Sequence, residues 1–300
     1  MEILDSVNID KLNTGTVITI GKFDGLHTGH DYLINTIKRI AEEKNLKTMV
    51  CTFANPPLDV IDNNENDVLL TPYEKKTRIA KLNIDYLTVW NFDERFMHLK
   101  PEEFVKYLIE RYNMKAFVCG KDFRFGYKRE GDINLLITLS KKFSFDVTVL
   151  DKLKEDNSVV SSTKIKELIM SGNIKEANRL LGYEYFVGGE VVNGIKLGRK
   201  MGFPTANIIP RTTKVLPPFG VYETKVEIGD KVYKGITNIG TKPTVTNDLK
   251  IITETYLKGF TGDLYGKYIN VELVDFIRAE KKFDSVEALI EQIKTDISRI

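Results

Sequence analysis

The residues best equipped for chemistry lie close together near the start of the chain. GKFDGLHTGH, residues 21–30, carries two of the three histidines, His27 and His30, and three glycines. It follows the apolar run VITI and precedes DYLINTIKRIAEEKN, which places it where a strand turns into a helix. A helix N-terminus presents free N–H groups and partial positive charge, so it suits phosphate. Gly21, Gly25 and Gly29 admit a ligand close to the backbone. His27 and His30, three apart at a helix start, face the same way and could both reach one phosphate. Nucleotidyl transfer needs such a site: a phosphate oxygen attacks the α-phosphorus of a nucleoside triphosphate and pyrophosphate leaves. The alternatives are metal ligation or a structural pair. Metal is disfavoured because no cysteine, third histidine or HExxH frame accompanies the two.

The elements that must position this loop follow from the apolar pattern. VITIG, KTMVCTF, YLTVW, KAFVCG and FDVTVL are short, β-branched and nearly all apolar, and read as strands. Between them the spacing is helical; Leu33, Ile34, Ile37, Ile40 and Ala41 form one stripe. From Val17 to about Asp151 this alternation predicts an α/β domain with a parallel, doubly wound sheet. Ligands of such sheets sit outside the carboxyl ends of the strands, where GKFDGLHTGH falls. Two short helices then follow, STKIKELIMSG and NIKEANRLLG, stopped by Gly172 and Gly182. Beyond them YFVGGEVV, GVYETKVEI, KVYKGITNI, IITETYL and KYINVELVDFI read as antiparallel strands with polar turns such as IGDK. A last helix is introduced by DSVE, where Asp284 and Glu287 have capping-box spacing. The boundary therefore falls near Gly182, between an α/β domain over 1–182 and an antiparallel β-barrel or sandwich with a C-terminal helix over 183–300.

Composition narrows the class. The 300 residues carry 44 basic and 42 acidic side chains, net +2, so no polyanion-binding surface and no nucleic-acid partner is expected. The start MEILDSVNIDK has no signal-type apolar core, and no apolar stretch approaches membrane-spanning length. Cys51 and Cys119 each sit in an apolar run without metal-type spacing and read as buried thiols. A soluble cytoplasmic protein acting on small molecules is the expectation, with the oligomeric state open.

Three stretches of the first domain resemble the nucleotidyltransferase superfamily, and within it the bacterial FAD synthetases. GKFDGLHTGH is similar to the HxGH signature, CGKDFRFG (119–126) to a GxDFRFG segment, and VSSTKIKELI (160–169) to an SSTxIR segment. The resemblance implies a catalytic role for His27 and His30. It implies ATP contacts from Gly21, Phe23, Asp24, Gly25, Gly29, Ser161, Ser162, Thr163 and Lys164, and flavin contacts from Asn55, Asp122, Phe123, Arg124 and Phe125. Two positions depart from the pattern. TFANPP (52–57) stands where the family has TFxPHP, so Asn55 and Pro56 replace proline and histidine, and Lys166 replaces the arginine of SSTxIR.

NGIKLGRKMGFPTANI (193–208) resembles the riboflavin kinase signature GxxxGRxxGFPTAN, and lacks the GK[ST] of a Walker loop. GVYETKV, NIGTKPT, TETYLKGFTGDLYG and FIRAEKKFDS are similar to further segments of that family. The resemblance implies ATP contacts from Gly194, Lys196, Gly198, Arg199, Gly202, Pro204 and Asn238, and Mg²⁺ coordination by Thr205 and Asn207, whose oxygens suit that hard ion. It implies Glu254 as catalytic base toward the ribityl hydroxyl and Arg278 beside the flavin. Together these segments imply a bifunctional riboflavin kinase and FAD synthetase. It would phosphorylate riboflavin to FMN and adenylylate FMN to FAD, with ATP and Mg²⁺. A monofunctional kinase with a degenerate first domain and a non-catalytic flavin-binding regulator are the alternatives.

Overall fold

The structure is a computed structural model that describes residues 1–4, 11–54, 67–91, 94–155, 158–194, 197–243 and 249–300. The chain divides into two compact units, residues 1–66 with 72–161 and residues 67–71 with 162–300.

Among the described residues the first unit is built on a six-stranded sheet, β1 (Glu2–Leu4), β2 (Thr16–Ile20), β3 (Lys47–Phe53), β4 (Tyr86–Trp90), β5 (Met114–Gly120) and β6 (Asp146–Leu150), in the order β1-β4-β3-β2-β5-β6. All pairings are parallel. Every residue of β2 is buried, as expected of a strand covered on both faces. Edge strand β1 escapes the sequence pattern because three residues, with only Leu4 buried, carry no readable period. The connections hold α1 (Thr28–Lys44), α2 (Pro72–Ala80), α3 (Glu94–Met97), α4 (Pro101–Tyr112) and α5 (Ile133–Phe143). Helix α1 buries Ile34, Thr36, Ile37, Ile40 and Ala41, and Asn45 stops it in the left-handed conformation at φ 52°. The chain order reverses between β2 and β5, which makes their carboxyl ends the crevice of this sheet. In the core beneath, the Trp90 indole N–H donates to the Tyr112 hydroxyl at 3.0 Å, so the polar end of the indole is satisfied although buried.

After the short hairpin β7 (Lys154–Glu155) and β8 (Ser158–Val159) come α6 (Ser162–Met170) and α7 (Ile174–Leu181), which lie in the second unit. Asn178 of α7 accepts from the Tyr185 N–H at 2.7 Å and donates to the Leu273 carbonyl at 2.8 Å. Then β9 (Phe186–Val192), α8 (Leu197–Lys200), β10 (Thr205–Ile208), β11 (Gly220–Ile228), β12 (Lys231–Pro243), β13 (Leu249–Leu257) and β14 (Tyr268–Ala279) follow. The strands close into a barrel in the order β10-β13-β12-β11-β14-β9, which resolves barrel against sandwich and leaves no open edge. Its interior includes a threonine ladder, Thr224–Thr237–Thr255, with hydroxyls 2.9 Å apart. Strand β10 lies at the end of the glycine-rich segment 193–208 and is not among the strands read from the apolar pattern. Four residues interrupted by function are too few to show alternation.

The last helix, α9 (Val286–Ile297), starts one residue later than the DSVE spacing predicts. Ser285 is the N-cap, with extended backbone and a hydroxyl that accepts from the Ala288 N–H at 3.1 Å; Asp284 does not cap it. The segment 67–71 is woven into this unit. Val68 bridges Lys214 in parallel, and the buried Lys214 ammonium donates to the Leu69 carbonyl at 2.7 Å while lying over the Tyr185 ring.

Candidate active sites

In the first unit the loop after β2 is shaped by its apolar residues. Phe23 and Leu26 are each 1% exposed and adopt left-handed backbone, φ 48° and 43°, beside Gly25 at φ 86°. Such strain persists where burial over-determines the conformation. The expected ATP contact Phe23 therefore lies under the loop, its ring centroid 5.2 Å from that of His30. His27 caps α1 from extended backbone, and the His30 and Asp31 N–H groups donate to its carbonyl at 2.7 and 3.1 Å. The two imidazoles stack with centroids 3.8 Å apart. A side chain at Gly29 would place its Cβ 3.2 Å from the His27 ring, so glycine makes room for the pair. Both Nδ1 atoms are buried without a hydrogen-bond partner. Burial pushes His27 down to about 4, against an opposing pull from Asp24. It holds His30 well below the ordinary imidazole range too, reinforced by His27 and Lys75. Near neutral pH the pair is uncharged.

The segment after β5 flanks that loop across the sheet, since β2 and β5 are neighbours. The Phe123 N–H donates to the Gly120 carbonyl at 3.0 Å, turning the chain at the strand end. Asp122 pairs with Lys152 at 2.8 Å and Arg124 with Asp132 at 3.5 Å. Phe123 is half-buried and stacks on Phe125 at 5.6 Å. Phe125 itself is 5% exposed within the hydrophobic core, against Phe104, so it anchors the segment and presents no face to a ligand. Asn55 and the departures in TFANPP lie outside the described residues. Ser161 is the last residue of the first unit, while Ser162, Thr163 and Lys164 open α6 in the second. Lys166 is occupied: its ammonium donates to the Asp67 carbonyl.

In the second unit, barrel register gathers residues distant in sequence. Asn207 stands opposite Glu254, Glu254 opposite Asn238, Asn238 opposite Val221, and Val221 opposite Arg278. Paired residues share a sheet face. A cavity of 680 Å³ opens beside this row, and its lining includes Thr205, Asn238, Glu254, Arg278 and, from α9, Leu289 and Ile293. Gly198 lines the same cavity. A smaller cavity of 270 Å³ is lined by Arg199, Pro204 and Thr205 together with Thr261, Gly262 and Asp263. Thr205 borders both. Asn207 is 6% exposed, and its amide donates to the Thr205 carbonyl at 3.3 Å. A Cβ on Gly194 would approach that amide to 2.7 Å, so only glycine lets the β9 end close over Asn207. Gly202 turns the chain at φ 88° before β10, and Lys196 lies outside the described residues.

Two residues with a part in these sites carry no signal in the motifs. Asp296, 1% exposed in the last turn of α9, holds Arg278. A buried acid at a helix C-terminus opposes the helix dipole, and that local conflict is the signal that marks it. Lys75 of α2 reaches the first loop from 45 residues beyond His30, a distance no spacing rule spans.

The side-chain oxygens of Thr205 and Asn207, two apart on one strand, are hard donors suited to Mg²⁺. No group of three or more His, Cys, Asp or Glu able to hold a metal occurs among the described residues. The metal set would therefore draw on neutral oxygens and on phosphate.

Residues 9–164 match the family model described as FAD synthetase, and residues 181–300 that described as riboflavin kinase. The chain is 39% identical over 294 residues to the bifunctional riboflavin kinase/FMN adenylyltransferase of Buchnera aphidicola subsp. Acyrthosiphon pisum, covering 97% of this chain and 94% of that one. It is 37% identical over 282 residues to the protein of the same name from Listeria monocytogenes, covering 93% and 90%. A crystal structure described as a macrolide-efflux protein from Streptococcus pneumoniae matches with TM-score 0.87 and 30% identity, covering 99% and 97%. No helix among the described residues is long and apolar enough to cross a membrane.

Proposed function

Because the chain belongs to the family of bifunctional riboflavin kinase/FMN adenylyltransferases, we propose that it phosphorylates riboflavin to FMN and then adenylylates FMN to FAD, each with ATP. Phosphorylation is assigned to residues 183–300 and adenylylation to residues 1–182, with the cytoplasm as the place of action.

For the kinase, the observation that carries the reading is that Thr205 borders both cavities while Glu254 stands opposite Asn207. The larger cavity, with Met201, Phe203, Val221, Ile236, Leu289 and Ile293 among its lining, suits an apolar ring system. Arg278 at its side adds a planar donor group. The smaller one, with Arg199 and the polar turn Thr261–Asp263, suits ATP phosphates. Glu254 accepts the proton of the ribityl terminal hydroxyl as its oxygen attacks the γ-phosphorus; the bond to the β-phosphate oxygen breaks and ADP leaves. Thr205 and Asn207 would hold Mg²⁺, which when bound offsets phosphate charge.

For adenylylation, the FMN phosphate oxygen attacks the α-phosphorus of ATP and pyrophosphate departs. His27 and His30 direct ring N–H groups at the charge that grows on the phosphates, and the first turn of α1 adds backbone donors. A buried site with few competing waters strengthens each of these interactions. Phe123, Asp122 and Arg124 are assigned to the flavin, with Phe125 supporting them from the core. The match of residues 9–164 to the FAD synthetase family favours this reading over a monofunctional kinase.

Incubating the purified protein with riboflavin, ATP and Mg²⁺ and separating the flavins tests it. FMN and FAD together are expected. FMN alone would overturn the adenylylation half, and neither product the whole.

A further inference from the structure

Lys75 belongs to none of the motifs, yet it spans the ligand edge of the first sheet. It lies in α2, and its ammonium donates to the Lys22 carbonyl at 2.9 Å and reaches the Phe53 carbonyl at 3.5 Å. Lys22 opens the loop that carries both histidines, and Phe53 ends the neighbouring strand β3. The strands run parallel, with Ile20 opposite Cys51, so these carbonyls mark adjacent carboxyl ends. The Lys22 carbonyl also accepts from the Thr52 hydroxyl at 3.2 Å, so three chain segments meet on it.

The electrostatics point the same way. Lys75 is half-buried, and burial lowers the affinity of its amine for the proton; Asp24 opposes that shift and Lys22 adds to it. Its charge is felt by His30, which also faces His27. Placing an ammonium among backbone carbonyls beside two uncharged imidazoles costs solvation. The two backbone carbonyls that accept from the Lys75 ammonium offset part of that cost and fix it beside the imidazoles.

We propose, resting on the adenylylation reading of this unit, that Lys75 is a positioning residue for that reaction. It ties the His27–His30 loop to the end of β3 and sets a positive charge beside the pair before a triphosphate arrives. Preorganised charge and donors count for most when they need not rearrange as the reaction proceeds.

The test uses the full chain with K75M, K75Q and K75R. FAD formation from supplied FMN and ATP is followed across pH, with riboflavin phosphorylation as internal control. K75M is expected to lower kcat/KM for FAD formation about 10²-fold and leave FMN formation within about two-fold. It is also expected to move the acid limb of FAD formation to higher pH, because His30 is relieved of a positive neighbour; K75R keeps the limb in place. Should K75M fail to fold, K75Q, which retains a donor for the Lys22 carbonyl, carries the same expectation for the limb. A folded K75M or K75Q with wild-type rate and pH profile overturns the proposal. So does a K75R limb displaced as far as that of K75M. A wild type that makes FMN but no FAD overturns the adenylylation reading itself, and this proposal with it. FAD synthesis by the wild type with unaltered variants overturns the role of Lys75 alone.

Discussion

Arg278 of β14 and Asp296 of α9 form an ion pair, the carboxylate buried and the guanidinium partly so, in which Nη2 and Nε donate to one carboxylate oxygen at 2.8 and 3.0 Å. Gln292 donates to the other oxygen at 2.9 Å and accepts from Lys281 at 2.7 Å. These contacts pin the last helix over the barrel face that bears the larger cavity. Without them the apolar side chains of α9 would be the main tie between helix and strand.

Removing the carboxylate leaves the partly buried guanidinium without its partner. Asp296→Ala is therefore expected to destabilise the second unit by about 1–3 kcal/mol, read from urea unfolding. The double variant with Arg278→Met should recover much of that loss. Equal destabilisation by the single and double variants would show that the pair contributes nothing beyond packing.

Glu254→Gln keeps size and hydrogen bonding but removes the base. FMN formation should fall about 10²- to 10⁴-fold, while supplied FMN is still converted to FAD. Near-normal phosphorylation in this variant would make Glu254 a bystander.

With His27 and His30 both replaced by alanine, FAD formation from FMN should collapse while riboflavin phosphorylation persists. Losing one donor to developing charge commonly costs about 10²- to 10³-fold. Melting curves separate this outcome from misfolding, in which both activities fall. A folded double variant with unchanged FAD synthesis would refute the role of HTGH.

The same pair makes stability depend on pH. In the unfolded chain His27 titrates near the ordinary 6.5, and in the folded chain at about 4. Between those values the unfolded state binds the proton that the folded state refuses, so stability falls as pH drops from about 6.5 towards 4 and is unaffected above about 7.5. For His27 the full loss is on the order of 3 kcal/mol, and His30 shifts in the same direction. Urea midpoints at pH 7.5 and pH 5 should therefore differ more for the wild type than for the double glutamine variant at 27 and 30. Equal differences would mean that the imidazoles are not held neutral by burial.

Fragments test the proposed boundary. Helix α7 buries Ile174, Ala177, Leu180 and Leu181, and Asn178 satisfies backbone groups of Tyr185 and Leu273. A fragment 183–300 should phosphorylate riboflavin, but 162–300 should melt several degrees higher, since at least two hydrogen bonds and an apolar face return. Identical melting temperatures would show that α6 and α7 add nothing to the barrel.

Much of this protein is legible without coordinates. The apolar runs of β2 to β5 announce buried parallel strands because most residues in them are covered, whereas edge strand β6 is only half-buried. Of the stripe Leu33, Ile34, Ile37, Ile40 and Ala41, all but the half-buried Leu33 lie on the buried face of α1, and Gly182 ends α7 in the left-handed conformation that glycine accepts at φ 76°. What local pattern misplaced was short or shared. β1 and β10 are too brief to show a period, and the last helix has two adjacent capping candidates, of which Ser285 holds the cap.

By itself the amino-acid order determined the two fold classes, the strand-to-helix loop with its histidine pair, and the family whose motifs run the length of the chain. Only the tertiary structure decided which of those residues meet. The row from Asn207 through Glu254 and Asn238 to Arg278 exists because four strand pairings take one register. A slip of one residue in any of them would send a side chain to the opposite face. Phe23 and Phe125 occupy motif positions and yet are buried, while Lys75 and Asp296 occupy none and yet touch the sites. Local spacing reports which face of its own element a residue takes. Which element lies across from that face is set by long-range pairing and packing.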